Sequence, residues 1–317
     1  MKIVSTLGLS EKYRDLLARR CPQYEVLHVE DLRKLDERLL AEIEVLFTYG
    51  NNLSEELIGK MDSLRWIHSG QAGVDAMPME LLDKKGMKLT NSRGINSITI
   101  AEYVVCMLLN LERNTYQFYE SYKKGIWDME TRLDEVAEKT IGILGLGNVG
   151  KEIAKRVKAF DMNVLGMDIA KVECPFIDRQ YTVQELDELL GICDYVVICL
   201  PLTSNTYHMI GEKTIGRMKP HSVLINVGRG AVAETNAVIG ALKDGRLRAA
   251  ILDVLETEPV PAGSELWNID GLMITPHIAG DRQASYMPRM MDILCYNLDA
   301  YPQFSLMKNP VDTSLGF

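Results

Sequence analysis

Residues 141–150 read IGILGLGNVG, and the fold follows from how that stretch is parsed. An apolar run at 141–144 meets a glycine-rich turn, Gly145-Leu146-Gly147-Asn148-Val149-Gly150. Residues 151–160 then carry Ile153, Ala154, Val157 and Phe160 at helical spacing. Strand, tight turn and helix are the context that gives a G-x-G-x-x-G pattern its meaning. The first glycine allows the turn, the second lets a diphosphate approach the backbone, and the third lets helix and strand pack closely. The helix N-terminus offers N–H groups and the positive end of its dipole to that diphosphate. Gly145, Gly147, Asn148 and Val149 are therefore candidate cofactor contacts. Such a turn also occurs for purely structural reasons, so the next strand matters. It spans 163–167 and ends in Asp168, 18 residues past Gly150. An acid there holds both ribose hydroxyls of an adenosine and repels a 2′-phosphate, which favours NAD over NADP. The alternative is an ordinary acid in a loop.

Outside this stretch, a chain of 317 residues is long enough for two domains. Its 47% apolar and 25% charged content is ordinary for a globular protein. A net charge of −9 argues against nucleic acid as a partner. Local arginines still leave room for an anionic substrate. The six cysteines are scattered without a C-x-x-C pair, mostly in apolar runs, which suits reduced core thiols in the cytoplasm. No signal-peptide block opens the sequence. The longest apolar run, 103–109, is too short to cross a bilayer, so no membrane association is expected. No metal site is expected either.

Read in order, strands are expected at 2–5, 25–29, 45–48, 65–68 and 88–91, with helices at 10–20, 54–60 and 80–85. Ser10 and Ser54 are the expected N-caps. Strands alternating with helices imply a parallel, doubly wound sheet. The fourth strand ends at Ser69-Gly70-Gln71-Ala72-Gly73, small residues whose backbone N–H groups could face an anion. That loop reads equally well as a substrate site or as a plain turn. Residues 100–119 read as one long helix, and its stretch VVCMLLNL implies deep burial all round. Further strands at 195–200, 223–226, 249–252 and 273–275, with helices at 183–190, 211–218 and 234–243, complete a six-strand dinucleotide fold. A closing helix at 287–301, with Pro288 in its first turn, returns to the first domain, and the tail 307–313 packs there. The expected domains are 1–95 plus 288–317, and 96–287.

Three side chains past strand ends carry chemistry. Arg229 lies between two glycines, where its guanidinium can hold a carboxylate through paired hydrogen bonds. Glu258 precedes Pro259, and His277 follows Pro276. Singly, each is as readily a surface or structural residue. Together, a carboxylate beside an imidazole favours its protonated form and fixes its tautomer. A protonated histidine gives a proton to a carbonyl oxygen while hydride arrives at carbon. An arginine beside them holds the adjacent carboxylate and polarises the carbonyl. This set suits reduction of a 2-keto acid by a nicotinamide.

The motifs GILGLGNVG with Asp168, CLPLTSNTYHMI at 199–210, NVGRG at 226–230, ILDVLETEP at 251–259 and TPHIAG at 275–280 match jointly in order and spacing. Over nearly its whole length the chain resembles the D-isomer-specific 2-hydroxyacid dehydrogenase family. The resemblance implies two doubly wound parallel-sheet domains, a Rossmann NAD-binding domain inserted into a flavodoxin-like substrate domain. It implies an NAD-dependent oxidoreductase that interconverts a small 2-keto acid and a D-2-hydroxy acid. Arg229 would bind the substrate carboxylate, Glu258 would tune the histidine, and His277 would be the acid/base. Glu258 is preferred to Glu256 because the family's glutamate directly precedes the proline. Asp253 would meet the nicotinamide carboxamide, and Val227 would lie beside the ring. Pro201 and Thr206 would line the adenosine and phosphate path, and Thr99 would touch the cofactor near the hinge. Gln71, Ala72 and Gly73 would give backbone N–H groups to the substrate carboxylate. Family members are usually homodimers paired through the dinucleotide domains. Asp281, where many relatives continue with small residues, departs from the pattern. Ser69 stands where many phosphoglycerate-type members carry arginine, and Glu258 argues against formate-type enzymes, which pair their histidine with glutamine. An NAD(H)-sensing scaffold of the corepressor type and a phosphoglycerate-type dehydrogenase are the alternatives.

Overall fold

The computed structural model describes residues 2–51, 53–74, 77–280 and 284–313. Asp281 lies outside the described residues. The chain forms two compact units, one built from 1–95 and 283–317, the other from 96–282.

The first unit contains strands β1 (Lys2–Ser5), β2 (Val26–His28), β3 (Ile43–Thr48), β4 (Trp66–Ser69) and β5 (Lys88–Thr90). They alternate with helices α1 (Glu11–Arg20), α2 (Glu37–Ala41), α3 (Glu55–Gly59) and α4 (Met79–Lys84). Every strand pair is parallel, in the order β2-β1-β3-β4-β5, a flavodoxin-like sheet. The central strands β3 and β4 are buried on both faces, as parallel strands covered by helices must be, while the edge strand β2 exposes Leu27. Leu46 and Ile67 enter one apolar cluster, while Val45, Phe47 and Trp66 enter the other. Ser54 caps α3 by accepting the Leu57 N–H at 3.2 Å. Ser10 precedes α1 without a side-chain cap. Helix α2 was not expected from the sequence: its five residues bury only Leu40, where α3, equally short, buries both Leu57 and Ile58.

The second unit opens with α5 (Ser97–Glu112) and α6 (Thr115–Lys123). This corrects the single helix expected at 100–119. Asn114 takes a left-handed conformation, φ 48°, and its side chain donates to the Arg132 carbonyl at 2.7 Å, so the chain turns between two helices. The expectation of burial all round is also wrong. Val104, Met107 and Leu108 are buried, but Cys106 is exposed. Glu112 is buried at the end of α5 and accepts hydrogen bonds from Arg248 and from the Tyr195 hydroxyl.

Strands β6 (Thr140–Leu144), β7 (Asn163–Met167), β8 (Arg179–Tyr181), β9 (Tyr195–Ile198), β10 (Ser222–Asn226), β11 (Leu247–Leu252) and β12 (Leu272–Ile274) form the second sheet. Helices α7 (Asn148–Lys158), α8 (Leu186–Ile192), α9 (Glu212–Ile215) and α10 (Thr235–Lys243) join them. The order β12-β11-β10-β9-β6-β7-β8 is the Rossmann order of six strands with a seventh added at one edge. Six strands were expected. The one overlooked is β8, a three-residue edge strand, Arg-Gln-Tyr, without an apolar run. Ile141, Ile143 and Val197 pack into the cluster on one face, and Leu144, Val196 and Ile198 into the other.

Helix α11 (Tyr286–Ala300) belongs again to the first unit, where Met291 and Leu294 share a cluster with Leu17 and Trp66. Pro288 occupies its first turn. The tail continues across the same unit, and the Val311 N–H donates to Leu89 at 2.9 Å.

Candidate active site

The glycine turn after β6 separates what the chain demands from what a ligand would demand. Gly145 has φ +99°, a conformation side chains rarely adopt. A Cβ on Gly150 would lie 2.0 Å from the Gly145 carbonyl oxygen, so the third glycine is required by packing. Gly147 is different: a Cβ there would meet nothing within 4 Å. Among the described residues nothing requires that glycine, which leaves an open cradle at the N-terminus of α7, where Gly147 and Asn148 are exposed. That is the fit expected for a diphosphate. Asp168 ends β7 beside the same turn. One oxygen accepts the Leu146 N–H at 2.7 Å, the other the Ile169 N–H at 2.8 Å.

The loops after β9, β10, β11 and β12 leave the same edge of the parallel sheet. Pro201 is exposed, and its carbonyl accepts the Thr206 hydroxyl at 2.7 Å. Thr206 also accepts the Thr203 N–H at 2.8 Å, so this side chain braces its own loop. Val227 is nearly buried, in the cluster that contains Ile225. Thr99 sits half-buried in the first turn of α5.

Glycines flank Arg229 for a steric reason. A Cβ on Gly228 would lie 2.7 Å from the Leu200 carbonyl oxygen, and one on Gly230 only 2.0 Å from that of Leu255. The Arg229 turn is thereby seated between two neighbouring loops. Its Nη1 donates to the Gly228 carbonyl at 3.0 Å, which braces the guanidinium.

His277 and Glu258 meet directly: Nδ1 and Oε2 are 2.9 Å apart. The other Glu258 oxygen accepts the Leu255 N–H at 2.9 Å. Glu256 turns elsewhere, to His208 at 2.6 Å and to the Thr235 N–H at 2.7 Å. Of the two glutamates, Glu258 is the one in contact with His277. The His277 side chain is 54% exposed.

Asp253, 2% exposed, has its carboxylate engaged by the histidine loop itself. It accepts the Thr275 hydroxyl at 2.6 Å and the Ile278 and Ala279 N–H groups at 2.9 Å each. His277 donates its own N–H to the Asp253 carbonyl at 2.9 Å. These bonds hold His277 in its left-handed conformation, φ 54°. Tyr103 and Thr275 were not singled out in the sequence, yet both belong to this support, their oxygens 2.7 Å apart. Burial pushes the Tyr103 phenol up to about 12, so it is a neutral donor.

Gln71, Ala72 and Gly73 lie in the first unit, after β4. A Cβ on Gly70 would come within 2.6 Å of Leu7 Cδ2 and 2.9 Å of the Tyr49 ring, so a side chain there would have to displace them.

A Rossmann sheet with an open phosphate cradle, an acid beside it and a histidine–glutamate pair defines a nicotinamide-dependent oxidoreductase. Residues 105–279 match the family described as D-isomer specific 2-hydroxyacid dehydrogenase, NAD binding domain. The chain is 34% identical over 272 residues to glyoxylate/hydroxypyruvate reductase B of Pectobacterium atrosepticum, covering 83% of this chain and 84% of that protein. It is 34% identical over 236 residues to D-3-phosphoglycerate dehydrogenase of Methanocaldococcus jannaschii, a match over 72% of this chain but only 44% of that longer protein. A crystal structure of a D-isomer specific 2-hydroxyacid dehydrogenase family protein from Aeromonas salmonicida superposes with a TM-score of 0.84 at 31% identity, covering 98% of each chain. The chain belongs to the D-isomer-specific 2-hydroxyacid dehydrogenase family. It is an NAD(P)-dependent oxidoreductase that interconverts 2-keto and 2-hydroxy acids.

Proposed function

We propose that the chain reduces a small 2-keto acid to the D-2-hydroxy acid, with NADH as reductant and His277 as acid/base. The observation that carries this reading is the 2.9 Å contact of His277 Nδ1 with Glu258. A carboxylate on Nδ1 holds that proton in place and leaves the Nε2 proton as the one to deliver. The nicotinamide, when bound, supplies the hydride. His277 Nε2 protonates the carbonyl oxygen, and in the oxidative direction it takes that proton back. Arg229 grips the substrate carboxylate through its planar fork and draws charge toward the carbonyl. Backbone N–H groups of 71–73 hold the same carboxylate. Asp253 has the anchoring role described above, and its contact with a carboxamide belongs to this proposal. Thr99, Val227, Pro201 and Thr206 line the path of the cofactor.

The test is NADH oxidation with glyoxylate, pyruvate, hydroxypyruvate, phenylpyruvate, 2-ketoisocaproate and 3-phosphohydroxypyruvate. Turnover of glyoxylate or hydroxypyruvate is expected, because Ser69 offers no cation for a phosphate. NADH binding without turnover of any acid overturns the proposal and favours a sensor. Cofactor choice follows from Asp168. Asp168→Ala is expected to raise the NADH dissociation constant about ten- to hundredfold, the worth of charge-assisted hydrogen bonds. NADPH binding, which never gained from that carboxylate, changes far less. Equal losses for both cofactors, by fluorescence titration, would show that Asp168 serves only to brace the Leu146 N–H.

We further propose a homodimer formed through the second unit, in the cytoplasm. Tyr119 and Tyr122 stack on each other on α6, and Trp127 and Met129, which follow it in sequence, are each exposed, with Trp127 at 89%. So many large exposed apolar side chains in one short segment suit an interaction site. All six cysteines are unpaired, which suits a reducing compartment. Among the described residues no helix is long and apolar enough to cross a membrane. Sedimentation should give twice the chain mass, and Trp127→Glu should shift the protein to monomer. A wild-type monomer at micromolar concentration contradicts the dimer.

A further inference from the structure

The loop after β4 is held by a buried polar chain that the reaction itself does not use. Trp66, His68, Ser69, Thr90 and Ser92 are all buried, at 0–2% exposure. Trp66 Nε1 donates to the Thr90 hydroxyl at 2.9 Å. Thr90 lies 2.8 Å from His68 Nδ1, and His68 Nε2 lies 3.3 Å from the Ser92 hydroxyl. Ser92 donates to the Ser69 carbonyl at 2.9 Å. One assignment of protons satisfies every member. The Ser92 hydrogen goes to a carbonyl, so its oxygen must accept, and His68 Nε2 must carry a proton. Burial keeps the ring neutral, so Nδ1 is bare and accepts the Thr90 hydrogen. The chain therefore runs in one direction and ends on Ser69.

The three carbonyls that follow are held as well. Gly70 accepts the Tyr286 hydroxyl at 2.7 Å. Gln71 accepts the Ser92 N–H at 3.1 Å, and Ala72 accepts the Asn91 amide at 2.7 Å. In a planar trans peptide the N–H points opposite to the carbonyl. With the Gln71 and Ala72 carbonyls turned to 91–92, the N–H groups of Ala72 and Gly73 face away from that segment.

We propose that Ser92, set by His68 and Thr90 and helped by Asn91 and Tyr286, is a positioning residue that aims the Ala72 and Gly73 N–H groups at the substrate carboxylate. This rests on the reading of 71–73 as the carboxylate-binding loop. No member of the chain touches substrate. The Ser92 N–H and the Asn91 amide fix the two peptide planes whose opposite faces do, while the Ser92 hydroxyl and Tyr286 anchor the start of the loop through the Ser69 and Gly70 carbonyls and so set where the Ser92 N–H lies.

The test compares Ser92→Ala and Ser92→Thr with the wild type, using glyoxylate as substrate and oxamate as a competing 2-keto acid mimic. Ser92→Ala is expected to raise the glyoxylate KM and the oxamate inhibition constant about tenfold, the effect of one lost hydrogen bond with its partners stranded. The NADH dissociation constant stays at the wild-type value, and kcat changes by less than KM. Ser92→Thr, which keeps the hydroxyl, restores KM to within about twofold. Should Ser92→Ala fail to fold, Tyr286→Phe, at a half-buried position, is expected to raise KM in the same direction. An unchanged KM in the variants overturns the proposal. Amide resonances of Ala72 and Gly73 in wild-type protein separate the two levels of argument. If they do not shift when oxamate is added, the loop is not the carboxylate site. If they shift and Ser92→Ala leaves KM unchanged, the relay alone is wrong.

Discussion

His277→Gln is expected to lose about a hundred- to ten-thousandfold in kcat while NADH binds as it does in the wild type. Glutamine can still meet Glu258 by hydrogen bond, so the carboxylate is not stranded. The backbone at 277 does not depend on the ring. Its conformation is held by the Asp253 carbonyl and by the carboxylate bonds from Asp253 to Thr275, Ile278 and Ala279. What glutamine lacks is a group that is protonated in one half of the cycle and bare in the other. The loss therefore falls on proton transfer. Stopped-flow NADH binding and steady-state turnover on the same preparation check it. A variant that turns over normally would remove His277 from the mechanism, whatever its contact with Glu258. Glu258→Gln should lose less, because it disturbs the charge and tautomer of His277 without removing the acid.

The parts of this site that were legible in the sequence share one physical property: their signals are local. The turn at 145–150 is written in consecutive residues because strand, turn and helix are contiguous, and the structure shows separate reasons for Gly145 and Gly150 within that turn. Strand β7 and its terminal Asp168 were legible for the same reason. The break between α5 and α6 was not, because Asn114 is held in its turn by the Arg132 carbonyl, 18 residues on. Strand β8 carries no apolar run, since an edge position asks for little burial. Asp253 was read through the family resemblance as a cofactor contact, and its anchoring of 275–279 emerged only when residues 22–26 apart came together. His68 is the clearest case. Within the strand stretch WIHS nothing marks its role, because its partners lie 22 and 24 residues away. Glu258 and Glu256 stood two residues apart with no geometric reason to choose between them. The pairing with His277 in one case and His208 in the other is a property of the packed loops.

That buried histidine has a consequence for acid stability. Burial alone lowers the His68 pKa from its ordinary value of 6.5 to about 3. Its neighbours are Phe47, Trp66, Thr90 and Ser92, none of them charged. Below pH 6.5 the unfolded chain binds a proton at His68 that the folded chain refuses. The stabilisation is complete above the unfolded pKa and is lost as pH falls toward the folded one. The slope approaches about 1.4 kcal/mol per pH unit below the unfolded pKa, so from pH 6.5 to 4.5 the protein loses about 2 kcal/mol through this one group. His68→Gln has nothing there to protonate. Its stability relative to wild type should therefore improve by about 2 kcal/mol between those two pH values, even if the variant is the weaker protein at pH 7. Urea unfolding of both proteins at each pH measures the difference, and titration of carboxylates common to both cancels. His28, whose pKa burial also lowers, cancels in the same way. In the wild type the ring resonances of His68 should hold still from pH 7.5 to 4.5. Equal acid slopes in the two proteins, or a His68 resonance that titrates near 6.5, would mean that water reaches the ring. The hydrogen-bond chain to Ser69 would then not be the closed, one-directional one that fixes the loop.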